Sequence, residues 1–234
     1  MKMLSFLFIV SVVMSCHVKE KHAGPVPVVA STVAATVVNL DYDSCKRSVS
    51  IVKTKNRSGW NKLSKQQKEK LFINAATETI MPNWIGTPWN FNGTTQIPKQ
   101  GTIACGYFVT TVLQDAGLPI ARTKLAQCAS EQMIRSLIQQ KYIHRFSNIP
   151  MNDFVSTVQQ QGYGLYIVGL DNHVGFIYND GNTVYFIHAN YSGPRSVQKE
   201  KAIDSWVLGK SKYKVLGKIS EDELLLDSWI RNEL

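Results

Sequence analysis

The sequence predicts an α+β fold, because helical patterns fill its first two thirds and strand patterns follow them. The helical part contains an apolar stripe that begins at Cys105 and repeats at i, i+3, i+4 and i+7. The later part contains runs rich in Val, Ile, Phe and Tyr on both sides of Asp180-Gly181, a strong two-residue hairpin signal. Helices followed by an antiparallel meander are typical of the α+β class.

The overall composition excludes several classes of protein. The chain has 234 residues, a formal net charge of +9, 44% hydrophobic residues and 18% charged residues. These values exclude a disordered chain, a collagen-like repeat and a disulfide-dense miniprotein. No apolar stretch reaches the roughly 18 residues of a membrane-spanning helix, so a multi-pass membrane protein is excluded as well.

The N-terminal segment is typical of a lipoprotein signal. The apolar run from Leu4 to Met14 is too short to span a bilayer and fits the apolar region of a secretory signal. It ends in Val13-Met14-Ser15-Cys16, which resembles the lipobox of bacterial lipoproteins. We therefore expect residues 1–15 to be a cleaved signal peptide and Cys16 to carry a lipid. This predicts a cell-envelope protein that is lipid-anchored outside the cytoplasm, although a plain cleaved signal or a buried N-terminal strand stays open.

Residues 16–44 are predicted to be a lipid-anchored tether, and residues 45–234 a folded domain. Residues 45–70 carry nine Lys or Arg and one Glu, whereas the last fourteen residues have a net charge of −4. We interpret the basic block as a solvated helix face, with an anionic membrane or wall polymer as the alternative partner. Nucleic acid is not expected as a partner, because a secreted chain has little access to it and no aromatic ladder interleaves the lysines.

Caps and breakers locate the remaining elements. Ser64 and Gln67 form a potential capping box that opens a helix, which we expect to stop before Pro82. Gly117 followed by Pro119 ends the helix predicted over 105–116. Further helices are expected near 130–141, near 150–160 and at the C-terminus, and strands near 163–170, 173–179, 183–189 and 212–219.

Cys105 is the first candidate functional residue. It lies in the first turn of its helix, where the helix dipole and unpaired N–H groups favour a reactive thiolate. We therefore expect Cys105 to stay free and to alkylate already at pH 6, whereas an ordinary core cysteine is the alternative. Cys45 and Cys128 could pair with each other, but their spacing does not establish a disulfide.

Two histidines of the predicted hairpin form the second candidate feature. Centring the turn on Asp180-Gly181 places His173 directly opposite His188, so that both imidazoles project from the same face of the sheet. A thiol at a helix start and two converging histidines match a nucleophile, a base and a residue that orients the base. The other histidines, His17, His22 and His144, are interpreted as solvated. No Cys/His spacing favours a closed zinc site, so no metal is expected.

Three stretches carry a family resemblance: Thr87-Pro88-Trp89-Asn90-Phe91-Asn92-Gly93, Ile103-Ala104-Cys105-Gly106-Tyr107-Phe108-Val109, and His173-Val174-Gly175-Phe176-Ile177-Tyr178 with Phe186-Ile187-His188-Ala189. They resemble the NlpC-type cell-wall peptidases, which are papain-like cysteine hydrolases of bacterial envelopes. The resemblance covers residues 60–220 and departs from the family at three positions. The family usually has Asp before the cysteine, Ser after it and Tyr in the preceding loop, where this chain has Ala104, Gly106 and Trp89.

The resemblance implies a papain-like α+β domain in which a helix-borne cysteine packs on a small antiparallel sheet. It implies Cys105 as nucleophile, His173 as general base and His188 as the residue that orients it. The backbone N–H of Cys105 would then bind the oxyanion, and Trp89 and Gly106 would contact it or the substrate. The implied activity is hydrolysis of amide bonds in peptidoglycan stem peptides, without metal or organic cofactor. An amidase or acyltransferase acting elsewhere, or a catalytically silent envelope binding protein, stays open. The 68-residue step from Cys105 to His173 also suggests an insertion near 129–161 that shapes the cleft.

Overall fold

Helices precede most of the strands along the chain, which confirms the α+β prediction. The computed structural model describes residues 41–233. The helices are α1 (Tyr42–Arg57), α2 (Lys65–Asn74), α3 (Met81–Trp84), α4 (Cys105–Asp115), α5 (Arg122–Ala126), α6 (Ser130–Leu137), α7 (Met151–Gln160), α8 (Trp206–Lys210) and α9 (Glu223–Arg231). The strands are β1 (Ile143–Ser147), β2 (Gly164–Leu170), β3 (Val174–Asn179), β4 (Val184–Ala189), β5 (Val197–Lys201) and β6 (Tyr213–Gly217). The predicted signal peptide (1–15), Cys16 and residues 17–40, with His17 and His22, lie outside the described residues.

The described strands form one antiparallel sheet in the order β1-β6-β2-β3-β4-β5. Helices cover both of its faces. The larger core lies on the face that bears Leu165 and Phe176, under α1–α4, α6 and α9. The smaller core lies on the face that bears Ile177 and Phe186, under α7 and α8. The consecutive strands β2, β3 and β4 therefore have apolar residues on both faces, which is why their sequences read as nearly continuous apolar runs.

The sequence analysis missed the two edge strands, β1 and β5. Both are rich in charged or polar side chains; β5 reads Val197-Gln198-Lys199-Glu200-Lys201. Charged residues on edge strands discourage pairing with other chains, and they also remove the apolar signal by which strands are detected. The predicted insertion near 129–161 becomes α6, β1 and α7, so it completes one edge and both faces of the sheet.

Helix α4 packs on the face of the larger core. The ring of Phe108 lies 6.0 Å from the ring of Phe176 on β3 and 6.4 Å from the ring of Trp84 on α3, both edge to face. Phe108 is fully buried, as the predicted apolar stripe requires. These contacts fix the first turn of α4, and with it Cys105, against the end of β3.

The helix that opens at Ser64 does not stop before Pro82, and this prediction was wrong. The Ser64–Gln67 capping box is present in both of its hydrogen bonds. Beyond α2, residues Ala75–Ile80 form a π-helical segment in which the Met81 N–H donates to the carbonyl of Ala76. Pro82 is the second residue of α3, and the helical backbone runs on from α2 through the π-helical segment to Trp84.

The basic block spans α1 and α2, and part of its charge is paired within the domain. Lys65 lies 2.8 Å from Glu221, and Lys68 lies 3.7 Å from Asp227 on α9. The basic block and the acidic C-terminal residues therefore meet, while Arg47 and Lys55 remain exposed as the predicted solvated face. Helix α1 begins at Tyr42, so the end of the predicted tether belongs to the folded domain.

All three cysteines of the described part, Cys45, Cys105 and Cys128, are free thiols, so the Cys45–Cys128 disulfide left open above is not formed. Between residues 41 and 233, no helix has both the length and the apolarity needed to cross a membrane. Single turns of 3₁₀ helix lie at Trp60–Lys62, Gln140–Tyr142, Ala202–Asp204 and Ile219–Glu221.

Candidate active site

Cys105 opens into a cavity of about 660 Å³, which we call the main cavity. The thiol and His173 line it together, as the sequence analysis expects of a nucleophile and its base. The predicted residues Trp89 and Gly106 also line it, and so do Phe91, Tyr191 and Arg195, which the sequence analysis did not single out as site residues. The main cavity therefore collects four of the predicted site residues from α4, the preceding loop and the end of β3.

Burial of the Cys105 thiol disfavours the thiolate that the helix start is expected to favour. Burial raises the pKa of the Cys105 thiol above its usual value, and this effect exceeds the opposing effect of the backbone N–H groups of Val174, Gly106 and Cys105 itself. The N–H groups of Gly106 and Cys105 are the favourable helix-start environment that the sequence predicts, whereas that of Val174 comes from β3. The sequence analysis did not foresee how far the thiol is withdrawn from water, which disfavours the charged form.

The hairpin between β3 and β4 turns one residue later than predicted. Phe176 pairs with Ile187 and Asn179 with Val184, so the two central turn residues are Gly181 and Asn182. The Asp180 carboxylate favours this turn, because it accepts hydrogen bonds from the N–H groups of Asn182 and Thr183 at 2.8 and 2.7 Å. His188 is consequently opposite Gly175, and His173 is its diagonal neighbour on the same face.

The two histidines nevertheless meet, as predicted, and a third residue extends the pair. His173 Nε2 lies 2.9 Å from His188 Nδ1, and His188 Nε2 lies 3.1 Å from Glu200 Oε1 on β5. We call His173, His188 and Glu200 the relay. Glu200 lies on β5, where it pairs with Phe186 of β4. It was not predicted as a site residue, because β5 itself was not predicted from the sequence.

The carboxylate at the end of the relay determines where its protons lie. The hydrogen bond from His188 holds the pKa of Glu200 below its usual value, so Glu200 is ionised and only accepts. His188 must then carry its proton on Nε2, which leaves Nδ1 free to accept from the Nε2–H of His173. The remaining nitrogen, His173 Nδ1, is therefore unprotonated and available as a base.

Both relay histidines are neutral in the resting protein. Burial lowers the pKa of His173 well below its usual value, and the neighbouring His188 lowers it further. Burial also lowers the pKa of His188, although the hydrogen bond and charge of Glu200 oppose this effect. His173 is 4% exposed and His188 is fully buried. A neutral thiol and a neutral imidazole therefore face the cavity, which is the starting state for general-base catalysis.

Two glycines are required for this arrangement. A Cβ at Gly175 would lie 2.8 Å from Cβ of His188 and 2.7 Å from the ring of Phe186, which stacks on the His188 ring at 4.0 Å. A Cβ at Gly106 would lie 2.3 Å from the carbonyl oxygen of Ala126. The close approach of α5 thus explains why this chain has glycine where the family it resembles usually has Ser.

Trp89, Tyr191 and Arg195 form the outer wall of the main cavity. The backbone N–H of Trp89 donates to the backbone carbonyl of Arg195 at 2.7 Å. The Arg195 guanidinium lies 5.2 Å from the centroid of the Trp89 ring. The Tyr191 ring lies 6.2 Å from the Trp89 ring and 5.2 Å from the His173 ring. Tyr191 and Arg195 follow β4 in a loop, where no periodicity distinguishes them.

A second cavity of about 270 Å³, the side cavity, also reaches Cys105 and His173. It is lined by Cys128, Ala129 and Ser130, which are the only residues near the predicted insertion that approach the thiol. The start of the predicted insertion, Ala129 and Ser130, therefore lines the side cavity, whereas no residue of 129–161 lines the main cavity. His144 is exposed on β1, as predicted.

Within residues 41–233, no group of three His, Cys, Asp or Glu side chains is arranged to hold a metal ion. Comparison of the chain with protein-family models, with curated proteins and with solved structures gives no match.

Proposed function

We propose that this protein is a cysteine hydrolase that cleaves amide bonds of peptidoglycan stem peptides. The observation that carries the proposal is the relay, a continuous hydrogen-bonded chain that ends at His173 in the same cavity as the Cys105 thiol. A pair of histidines that only supports the fold does not need a tautomer that leaves His173 Nδ1 unprotonated, nor a thiol in the same cavity. The resemblance to the NlpC-type peptidases supplies the substrate class and a papain-like assignment of the fold.

The relay suggests the following chemistry. His173 Nδ1 takes the proton of the Cys105 thiol as sulfur attacks the amide carbonyl carbon, and the His173 imidazolium is stabilised through His188 by Glu200. The imidazolium then gives that proton to the leaving nitrogen, so that an amine departs and a thioester remains. Water, activated by the same nitrogen, hydrolyses the thioester and restores the thiol.

The developing oxyanion needs donors near the sulfur. Ala104 precedes α4 and provides no side-chain cap, so no side chain covers the first N–H groups of this helix from that position. The backbone N–H of Cys105 is one proposed donor. The indole of Trp89 at the cavity wall is the second, where the family it resembles usually has a Tyr.

The test is digestion of soluble stem peptides of defined sequence by residues 41–234, followed by mass spectrometry for new amines. We expect Cys105→Ala and His173→Ala to abolish turnover. Cys45→Ala is the matched control, since this buried thiol lies outside the cavity and its loss leaves the site intact. Turnover that survives Cys105→Ala would refute the nucleophile.

Other outcomes identify the alternatives. Failure to cleave any stem, together with hydrolysis or acyl transfer on other amides or esters that depends on Cys105, would indicate an amidase or acyltransferase. Stem binding without turnover, unchanged in Cys105→Ala, would indicate an envelope binding protein.

The proposed site of action is the cell envelope, reached through a lipid on Cys16. This follows from the lipobox-like sequence alone. Cys16→Ala should release the full-length protein from the membrane fraction and remove the lipid mass from its N-terminal peptide. Unchanged membrane partitioning of this variant would contradict lipid anchoring and leave the proposed chemistry untouched.

A further inference from the structure

Arg195 gives the main cavity a positive charge that no neighbour cancels. Among the described residues that line this cavity, Arg195 is the only one charged at neutral pH, because none is acidic and His173 is neutral. Within the same part of the chain its guanidinium forms no ion pair, whereas Arg145 is paired with Glu131. An unpaired cation in a largely aromatic cleft favours an anionic ligand.

The guanidinium is positioned by contacts that leave its outer edge free. Its Nε donates to the Tyr191 carbonyl at 3.3 Å, and its Cζ lies over the Trp89 ring, 5.2 Å from the ring centroid. The backbone of Arg195 adopts the left-handed region at φ 47° and accepts the Trp89 N–H. In the described structure the two Nη groups have no hydrogen-bond partner. Both are therefore available to donate to the two oxygens of a carboxylate.

We propose that Arg195 is a carboxylate-binding residue of the main cavity and selects substrates that carry a carboxylate near the scissile amide. This deepens the proposed function and rests on it for the reaction. The anion subsite itself is a property of the cavity, and a thiol reagent can test it without any turnover.

The first experiment compares two alkylating reagents that differ by one charge. Iodoacetate is an anion and iodoacetamide is its neutral counterpart; both form the same S–CH₂ bond with the Cys105 thiolate as iodide leaves. We expect Arg195→Gln to lower the ratio of the two rates at Cys105 about fivefold, because the cation that attracts iodoacetate is gone. Arg195→Lys should restore part of this ratio, since it keeps the charge but not the planar fork.

Two controls separate the local charge from general effects. Arg135→Gln removes one positive charge from an exposed position on α6, away from the main cavity, and should leave the ratio at Cys105 unchanged. Cys128 is in a different tryptic peptide and lines only the side cavity, so its own ratio should not respond to Arg195→Gln. An equal ratio at Cys105 in the wild type and in Arg195→Gln would overturn the proposal and leave Arg195 as a brace for Trp89.

The second experiment uses two stems that differ only in a free or an amidated α-carboxylate of the glutamyl residue. We expect the wild type to prefer the free acid and Arg195→Gln to raise KM for it about tenfold, with little change for the amide. Equal turnover of both stems by both proteins would refute the carboxylate subsite while the hydrolase proposal stands. If no stem is cleaved, the hydrolase proposal fails, and the alkylation ratio still decides whether the cavity selects anions.

Discussion

The relay and the outer wall border the same cavity but are built in opposite ways. The relay is a buried chain of hydrogen bonds from His173 through His188 to Glu200, and of its ring nitrogens only His173 Nδ1 has no partner among the described residues. The outer wall presents aromatic rings and one unpaired guanidinium to solvent. A buried chain of hydrogen bonds holds one geometry, whereas the unused guanidinium donors of an exposed wall are free to meet a ligand.

This difference separates two kinds of function. The relay holds protons at defined atoms, so changes there should alter the rate of the chemical step and the stability of the fold together. The outer wall contacts solvent at the exposed Arg195, so a change of this residue should alter substrate binding and leave stability unchanged. Variants in each region test whether this division is real.

The largest expected effect is on kcat in relay variants. His188→Ala removes the partner of His173 and should lower kcat about 10³-fold, leaving some activity because orientation is one part of the barrier. Glu200→Gln should lower kcat about 10²-fold, because its amide can donate to His188 and so invert both histidine tautomers, which places a proton on the base. Initial rates on a stem peptide measure both effects.

Glu131→Gln is the control for the relay variants. It also removes a hydrogen-bonded carboxylate, but one paired with Arg145 near the edge of the sheet, so kcat should not change. A Glu200→Gln protein with wild-type kcat would show that Glu200 supports the fold without fixing the tautomer.

The next effect is on folding stability, through Gly175 behind the relay. Gly175→Ala introduces a methyl group within 2.8 Å of His188 and Phe186, and the stacked rings cannot both retain their positions. We expect the free energy of unfolding to fall by about 2 kcal/mol, measured by urea titration. Gly59→Ala is the control, because the space around its added Cβ is free and stability should change little. Gly162→Ala would not serve, because its positive φ strains any residue with a side chain. Equal stability changes in Gly175→Ala and Gly59→Ala would mean that the relay is not tightly packed.

The relay also predicts loss of stability in acid. His173 and His188 have lowered pKa values in the folded state, so the unfolded chain binds more protons as the pH falls below about 6.5. Each proton taken up on unfolding lowers stability by about 1.4 kcal/mol per pH unit. Glu200, whose folded pKa is also lowered, adds a further loss below about 4.5. Stability curves between pH 8 and 4 measure this effect.

The His188→Gln variant removes one of these buried titrating groups and should flatten the curve between pH 6.5 and 5. His144→Gln, at an exposed position of β1, should leave it unchanged. A wild-type curve that is flat from pH 7 to 5 would contradict buried neutral histidines.

The sequence predicted the parts of the site that periodicity marks. The apolar stripe located Cys105 at a helix start, and the alternation of the hairpin placed both histidines on one face. Moving the turn by one residue shifts the β4 partner of every β3 residue by two. The histidines still meet, because a shift of two residues keeps each side chain on the same face of the sheet. Glu200 and Tyr191 could not be predicted, since a charged edge strand and an irregular loop carry no periodic signal.

The pKa of Cys105 shows a second limit of sequence reasoning. The helix start and its N–H groups were predicted, and they do lower the thiol pKa. The net direction depends on burial, which the position of a residue within its own helix does not determine. Local position therefore singled out Cys105 as the proposed nucleophile, and tertiary packing sets the direction of its pKa.

The smallest expected effect is at the exposed edge of the main cavity. Phe91 lines this cavity but is 80% exposed, so Phe91→Ala should change the free energy of unfolding by less than about 0.5 kcal/mol. If its ring covers a bound substrate, the contact is made equally in the ground state and in the transition state. KM should then rise about threefold while kcat stays constant. Leu224→Ala, another exposed apolar residue, on α9, should change neither KM nor stability. A fall in kcat without a change in KM would instead place Phe91 with the relay, among the residues that act on the chemical step.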